Sequence, residues 1–417
     1  MQRLLTLFSD TAKYVSVVVI FWLAVHAIDS AALSAVLWIL IVYHLFATFY
    51  SGSSAFSPAM VVKSNRSRLV GVLLVQSLVG GVALSSFLYY LTIRFNNQLS
   101  ILGIENAIAV AILYVVPVTI FRSFGGFINA LATSWVYRFF RLLLVSSICA
   151  SSWWLFVKDE LSTSGLLSAI ILGTSFGALL IVLTSWILSG WSIQFDTNAF
   201  LRSIRENQAD FGWRVAWYLF DFAGLILIGI FLDTNYFMYA AVAMMFIIPV
   251  RYLSLLLVNV KLGDRSPKAV FGMVDKAIGA LRFTFVSSLM LSILLLGGGY
   301  VMIRYVWSIE LIPAYFTMLI LLPGAFMTGA THAVLTANFV TNSRQFCQNM
   351  LWISLLVQIL GYTILMPEFG IWGYGLSYTI SSLLLMITIL NRIFKDIGVS
   401  SASLFKFSRD DLIDYLY

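Results

Sequence analysis

About twelve apolar stretches, each near the ~20 residues that a helix needs to cross a bilayer, dominate this chain. They run roughly over 11–28, 31–50, 69–93, 106–130, 139–157, 165–188, 211–232, 236–260, 283–303, 311–337, 347–366 and 371–393. Of 417 residues, 61% are hydrophobic and only 10% charged, where a soluble domain carries about 25% charged residues. In hydrocarbon no water satisfies a backbone N–H or C=O, so lipid-exposed segments of this length fold as helices. The expected fold class is therefore all-α: a polytopic membrane protein of about twelve transmembrane helices.

The placement of charge orients those spans. All but three of the 25 Lys and Arg residues fall on the side of the N-terminus; the exceptions are Arg94, Lys158 and Arg304. Lys- and Arg-rich short loops stay in the cytoplasm. Both termini are thus expected to be cytoplasmic, with the first span retained rather than cleaved as a signal. The net charge of +7 is spread over loops such as Lys63–Arg68, Arg138–Arg141 and Lys261–Arg282. It suits anionic lipid and not nucleic acid, which would need the charge gathered on one module. The far-side connections are short, for example Asp233-Thr234-Asn235 and Pro367 to Gly370, and leave no room for a catalytic domain there. Function is confined to work done within the bilayer.

The halves look related. A shift of 206 residues places Pro117 on Pro323, Arg138 on Arg344 and Phe140 on Phe346. Together with six spans, a long basic loop and six more spans, this predicts two six-helix halves related by a parallel repeat. The domains read as a bundle over 1–188, a cytoplasmic linker over 189–210, a second bundle over 211–393 and a cytoplasmic tail over 394–417. Transporters built from such repeats bind substrate between the halves and rock to alternate access. Pro117, Pro249 and Pro323 lie inside spans and are expected to kink them.

No enzyme motif is present. There is no phosphate-binding P-loop, and Gly297-Gly298-Gly299, inside a span, reads as a site of close helix packing. Cys149 and Cys347 have no second Cys or His at ligand spacing, so neither a disulfide nor a metal site is expected, and no cofactor is called for. His26, His44 and His332 are far apart and read as interhelical hydrogen-bonding residues.

The informative residues are charges inside spans, each costing at least about 2.5–3.5 kcal/mol at a helix centre. Asp221 sits ten residues into the seventh span. Arg214 lies seven residues earlier on the same face, about 10 Å along the axis. Arg251, deep in the eighth span, falls at a similar depth to Asp221, so the two either pair structurally or face one cavity. Arg122 has two readings. If the fourth span ends early it is a cytosolic anchor; if the span runs to about residue 130 it faces the interior, where its fork suits a phosphate. Trp217 and Tyr218 offer rings to stack on sugars, though packing is the plainer role. Asn338, with Asn129, Gln76 and Gln358, supplies intramembrane amides for ligand or for helix contacts.

Two regions carry a family resemblance. Asp221, a far-side turn and Tyr239-Ala240-Ala241 resemble the aspartate, turn and GxY stretch of the polysaccharide-transporter branch of the multidrug/oligosaccharidyl-lipid/polysaccharide exporter superfamily. Leu365-Met366-Pro367-Glu368-Phe369-Gly370-Ile371-Trp372-Gly373-Tyr374-Gly375 resembles the iPxyGixGaa turn of the same branch, the O-antigen flippase (Wzx) type. Phe237-Met238 and Tyr374 depart from its pattern. The resemblance implies a flippase of the bacterial inner membrane, moving a polyprenyl-pyrophosphate-linked oligosaccharide unit from the cytoplasmic to the periplasmic leaflet. It also implies a cationic cavity for the pyrophosphate, a proton or sodium ion as coupling ion with Asp221 as its carrier, and a polysaccharide polymerase as partner. A cation-coupled multidrug antiporter of the same superfamily is the alternative.

Overall fold

The computed structural model describes residues 2–50, 66–94, 113–130, 134–261, 273–336 and 344–397. Among these, twelve α-helices and no strand are found: α1 (Gln2–Ala27), α2 (Ser30–Tyr50), α3 (Arg66–Arg94), α4 (Val115–Ala130), α5 (Ser134–Val157), α6 (Thr163–Leu188), α7 (Thr197–Phe231), α8 (Thr234–Lys261), α9 (Met273–Val301), α10 (Ile312–Thr336), α11 (Arg344–Phe369) and α12 (Ile371–Ile397). Nine helical stretches among the described residues are long and apolar enough to cross a membrane. Three shorter apolar ones lie at Tyr14–Ala27, Val115–Gly125 and Asn235–Arg251, within α1, α4 and α8. The chain is an all-α polytopic membrane protein.

Two compact units divide the chain, Met1–Phe222 and Ala223–Tyr417. In the first, α1 packs on α5, α5 on α6, α3 on α4, α4 on α6, and α2 on α3 and α4. Its core centres on Leu69, Leu73, Phe121, Phe124, Phe127 and Ile181, all buried. In the second, α8 packs on α9 and α10, α9 on α10, α10 on α12 and α11 on α12.

The segment 189–210, expected as a cytoplasmic linker, is of two kinds. Ser189 to Asp196 is irregular, turning through Gly190 and Trp191 at φ of 76° and 61°. From Thr197 onward the chain is already helical and continuous with the seventh span. At 35 residues α7 is far longer than a membrane needs, and its apolar part is Gly212–Phe231. The irregular piece is docked on the start of α3: the Gln194 N–H donates to the Ser67 carbonyl at 3.1 Å, and Arg68 pairs with Asp196 at 3.3 Å. Of the second polar stretch, 261–282, residues 262–272 lie outside the described residues.

Pro117 is the third residue of α4, which starts at Val115 directly after the helical Leu113 and the turn residue Tyr114, so the helix is interrupted just before this proline. Two local expectations change. Pro249 and Pro323 do sit inside helices, and so does Pro367, because α11 continues to Phe369. The far-side connection read as Pro367 to Gly370 thus shrinks to Gly370 alone. Gly297 and Gly298 face open space; only Gly299 is packed, and against Met318.

The α11–α12 hairpin explains its glycines. Gly370 has φ +55°, a left-handed turn that closes α11 by donating its N–H to the Met366 carbonyl at 2.8 Å. A Cβ at Gly373 would sit 2.2 Å from the Leu365 carbonyl oxygen, so the two helices touch backbone to backbone there.

Candidate functional site

Arg214, Tyr218 and Asp221 recur at spacings of four and three on α7, and so lie along one face. Tyr218 donates its hydroxyl to the Ile41 carbonyl on α2 at 2.9 Å, pinning that face to α2. Its ring lies 5.7 Å from the imidazole of His44 and 4.7 Å from the ring of Phe222. Trp217 is buried and packs edge-on against Trp213 and Phe220. Asp221 is buried, 8% exposed, in the last turn of the first unit's share of α7.

Arg122 takes the second of its two expected positions. The helix runs on to Ala130, and Arg122, half-buried in its middle, bonds through Nη2 to Nε2 of His44 on α2. The His44 Nδ1 lies 3.2 Å from the hydroxyl of Tyr114, just before α4. A guanidinium has only donors, so Nε2 of His44 must be the acceptor. The imidazole is therefore neutral, with its proton on Nδ1 and directed at the Tyr114 oxygen. Arg122 is also within electrostatic reach of Tyr218, Tyr137 and Arg141, and Arg214 feels the charge of Arg122. Two arginines from α4 and α7 thus share one partly buried region of the first unit, bordered by His44, Tyr114 and Tyr218. The sequence reading named Arg122, Arg214 and Tyr218 and placed His44 as a hydrogen-bonding residue. It did not single out Tyr114, whose place eight residues before Arg122 gave the only hint.

The second unit has its own polar interior. Arg251 on α8 is 2% exposed and close enough to His332 on α10 and Tyr374 on α12 for its charge to act on both. One turn before His332, the Thr328 hydroxyl donates to Ser382 at 3.0 Å and lies 3.4 Å from that of Tyr378. On α11 the Gln358 amide donates to Tyr362 at 2.6 Å, a bond within one helix. The Tyr362 ring packs 5.5 Å from that of Tyr374. Asp221 and Arg251 belong to different units, and each is placed only within its own. Asn338 lies outside the described residues, and the side chain of Asn129 is not described. Among the described residues no group of His, Cys, Asp and Glu is arranged to hold a metal ion.

No family model matches the chain, and no curated protein matches its sequence. Solved structures do match. A lipid II flippase, MurJ, in an inward closed conformation superposes with a TM-score of 0.70 at 15% identity, over 98% of this chain and 92% of that one. An outward-facing multidrug resistance MATE transporter of the MOP superfamily gives 0.65 at 12% identity, covering 95% and 94%. A MOP-superfamily transporter from Pyrococcus furiosus Vc1, whose reversed binding-pocket polarity suggests a different function for it, gives 0.58 at 12%, covering 97% and 95%. All three are transporters rather than enzymes, the class expected from the sequence. The chain has the fold of the MOP-superfamily transporters, shared by MurJ-like and MATE-like proteins.

Proposed function

We propose that this chain is an alternating-access flippase that moves a polyprenyl-pyrophosphate-linked oligosaccharide unit, an O-antigen or other surface polysaccharide repeat, from the cytoplasmic to the periplasmic leaflet. The observation that carries this reading is the pair Arg122 and Arg214 within the spans of the first unit, beside His44, Tyr114 and Tyr218. Two arginines in a low-dielectric region repel one another and lose hydration, a cost offset when a dianion binds between them. A pyrophosphate diester is such a dianion, and tyrosine rings and hydroxyls beside it suit the adjoining sugar. The fold shared with a lipid II flippase supports the same reading. A cation-coupled multidrug antiporter, suggested by the MATE-like structures, fits less well, because organic cations would meet positive charge in this unit.

Helix packing supports two halves related by a parallel repeat. The contacts α2 with α3 and α4, α3 with α4, α4 with α6 and α5 with α6 recur six helices later as α8 with α9 and α10, α9 with α10, α10 with α12 and α11 with α12. On this reading the protein lies in the bacterial inner membrane with both termini cytoplasmic. Asp221 is the candidate carrier of a coupling proton or sodium ion, and Arg251, Trp217 and Asn338 are further candidates for substrate contact. A polysaccharide polymerase receives the flipped unit. The test is a leaflet assay in cells stripped of redundant flippases. With the gene deleted, the lipid-linked unit should accumulate on the cytoplasmic face; normal arrival on the periplasmic face overturns the proposal.

A further inference from the structure

We infer that His44 is a proton-linked positioning residue of the Arg122 anion site: it holds Arg122 while the site is empty and takes up a proton when a pyrophosphate dianion occupies it. The inference rests on the flippase reading above and goes beyond it by tying substrate capture to a proton.

Arg122, His44 and Tyr114 form one hydrogen-bonded chain. Arg122 donates to Nε2 of His44, and His44 bonds through Nδ1 to the Tyr114 hydroxyl. Both ring nitrogens are engaged, and the engagement at Nε2 requires a neutral ring. A proton there would remove the only acceptor Arg122 finds on the ring and set two cations in contact. The empty site thus excludes the proton. An anion reverses both terms. It draws the guanidinium into a two-oxygen fork, which releases Nε2, and its two negative charges stabilise an imidazolium beside it. The proton is taken from solvent onto Nε2, while Nδ1–H continues to donate to Tyr114. Histidine suits the task because its ordinary titration lies near neutrality.

Charged and titratable groups reach the region of His44 from several helices. From α4 and the residue before it come Arg122 and Tyr114; from α7 come Tyr218, whose ring lies 5.7 Å away, and Arg214, felt through Arg122, with Asp221 one turn further along that face. Tyr137 and Arg141 on α5 act on Arg122. The α3 helix sets Phe87 against Phe46 of α2, and α6 contains no titratable residue. On α1, His26 is bonded to its own helix at the Trp22 carbonyl.

The test is calorimetric titration of the full-length detergent-solubilised protein with geranyl-pyrophosphoryl-N-acetylglucosamine, a diester with no group of its own titrating near neutrality. Titrations in buffers of different ionisation enthalpy count the protons taken up. Linkage of one proton changes affinity by at most about tenfold per pH unit. We expect affinity to rise about fivefold from pH 8 to pH 6, with net proton uptake, and the His44→Asn and His44→Gln variants to bind without uptake and without the pH slope. Binding by the wild-type protein with no uptake, or uptake unchanged in both variants, overturns the role of His44 and leaves the anion site standing. No binding by the wild-type protein at any pH overturns both. A wild type that takes up no proton overturns the role of His44 without either variant, and two variants are used so that the misfolding of one leaves the assignment testable by the other.

Discussion

Arg122 is the residue on which the proposed anion site turns, and its two replacements separate charge from geometry. Arg122→Gln removes the charge and leaves a neutral amide beside His44, whereas Arg122→Lys keeps the charge but not the planar fork that binds two oxygens at once. The expected order of flipping rates is wild type, then Lys, then Gln, with Gln lower by about tenfold or more, the scale of one lost charge-assisted pair. The rate at which the lipid-linked unit becomes accessible to a membrane-impermeant reagent measures it, and equal rates for Gln and wild type would remove Arg122 from the site. Part of this site was legible from periodicity. Arg214, Tyr218 and Asp221 share a face because 3.6 residues make a turn, and a buried charge stands out in an apolar run. The link from Arg122 to His44 was not legible, because the two are 78 residues apart and on different helices. Nor was that from His44 to Tyr114, 70 residues apart. No local pattern encodes such pairings; packing makes them.

At the scale of elements, the hairpin of α11 and α12 and the docked segment before α7 make opposite predictions about what matters. Gly373→Ala would push a methyl to 2.2 Å from a backbone carbonyl that cannot swing away. The helices would have to part, at about 1–3 kcal/mol. Gly370→Ala meets nothing in space but leaves alanine at φ +55°, a strain of about 1 kcal/mol. Thermal unfolding in detergent should therefore fall further for Gly373→Ala than for Gly370→Ala. The motif announced a turn; only the structure shows that its second glycine serves helix contact rather than the bend. At the other segment, the Arg68–Asp196 pair looks like a latch, yet Arg68 is 54% exposed and such pairs contribute about 0–1 kcal/mol. Asp196 also accepts the Asn198 N–H at 2.9 Å and so caps α7. Asp196→Ala should then cost about 1 kcal/mol and Arg68→Gln next to nothing. Equal losses would mean that the ion pair, not the cap, holds this segment.

For the whole molecule, hydropathy reads spans because the bilayer imposes one requirement on every segment that crosses it, and nine of the twelve expected are long and apolar enough among the described residues. It could not find the helix pairs, because lipid and protein interior are equally apolar. On α6, Leu172 and Leu179 are exposed while Leu166 and Leu167 are buried, and nothing in the residue type separates them. The three cations that break the charge bias now have a physical setting. Arg94 ends α3, Lys158 follows α5, and Arg304 lies in the π-helical segment Met302–Trp307 after α9. Lys158 sits 5.1 Å over the ring of Trp154, and Arg304 5.3 Å over that of Tyr305, both rings being exposed. A cation on an exposed aromatic at a helix end is suited to the headgroup layer, where the ring is half-wet and the charge meets lipid phosphate. Lys158 and Arg304 are thus suited to a headgroup layer, which on the proposed topology is the far one. Reporter fusions test this directly. An alkaline phosphatase domain, active only where its disulfides form, should be active when joined after Lys158, Asp233 or Glu310 and silent after Arg141 or Ser189. Activity after Ser189 would place the docked segment and the start of α7 in the periplasm. It would also reverse the face from which a pyrophosphate first meets Arg122.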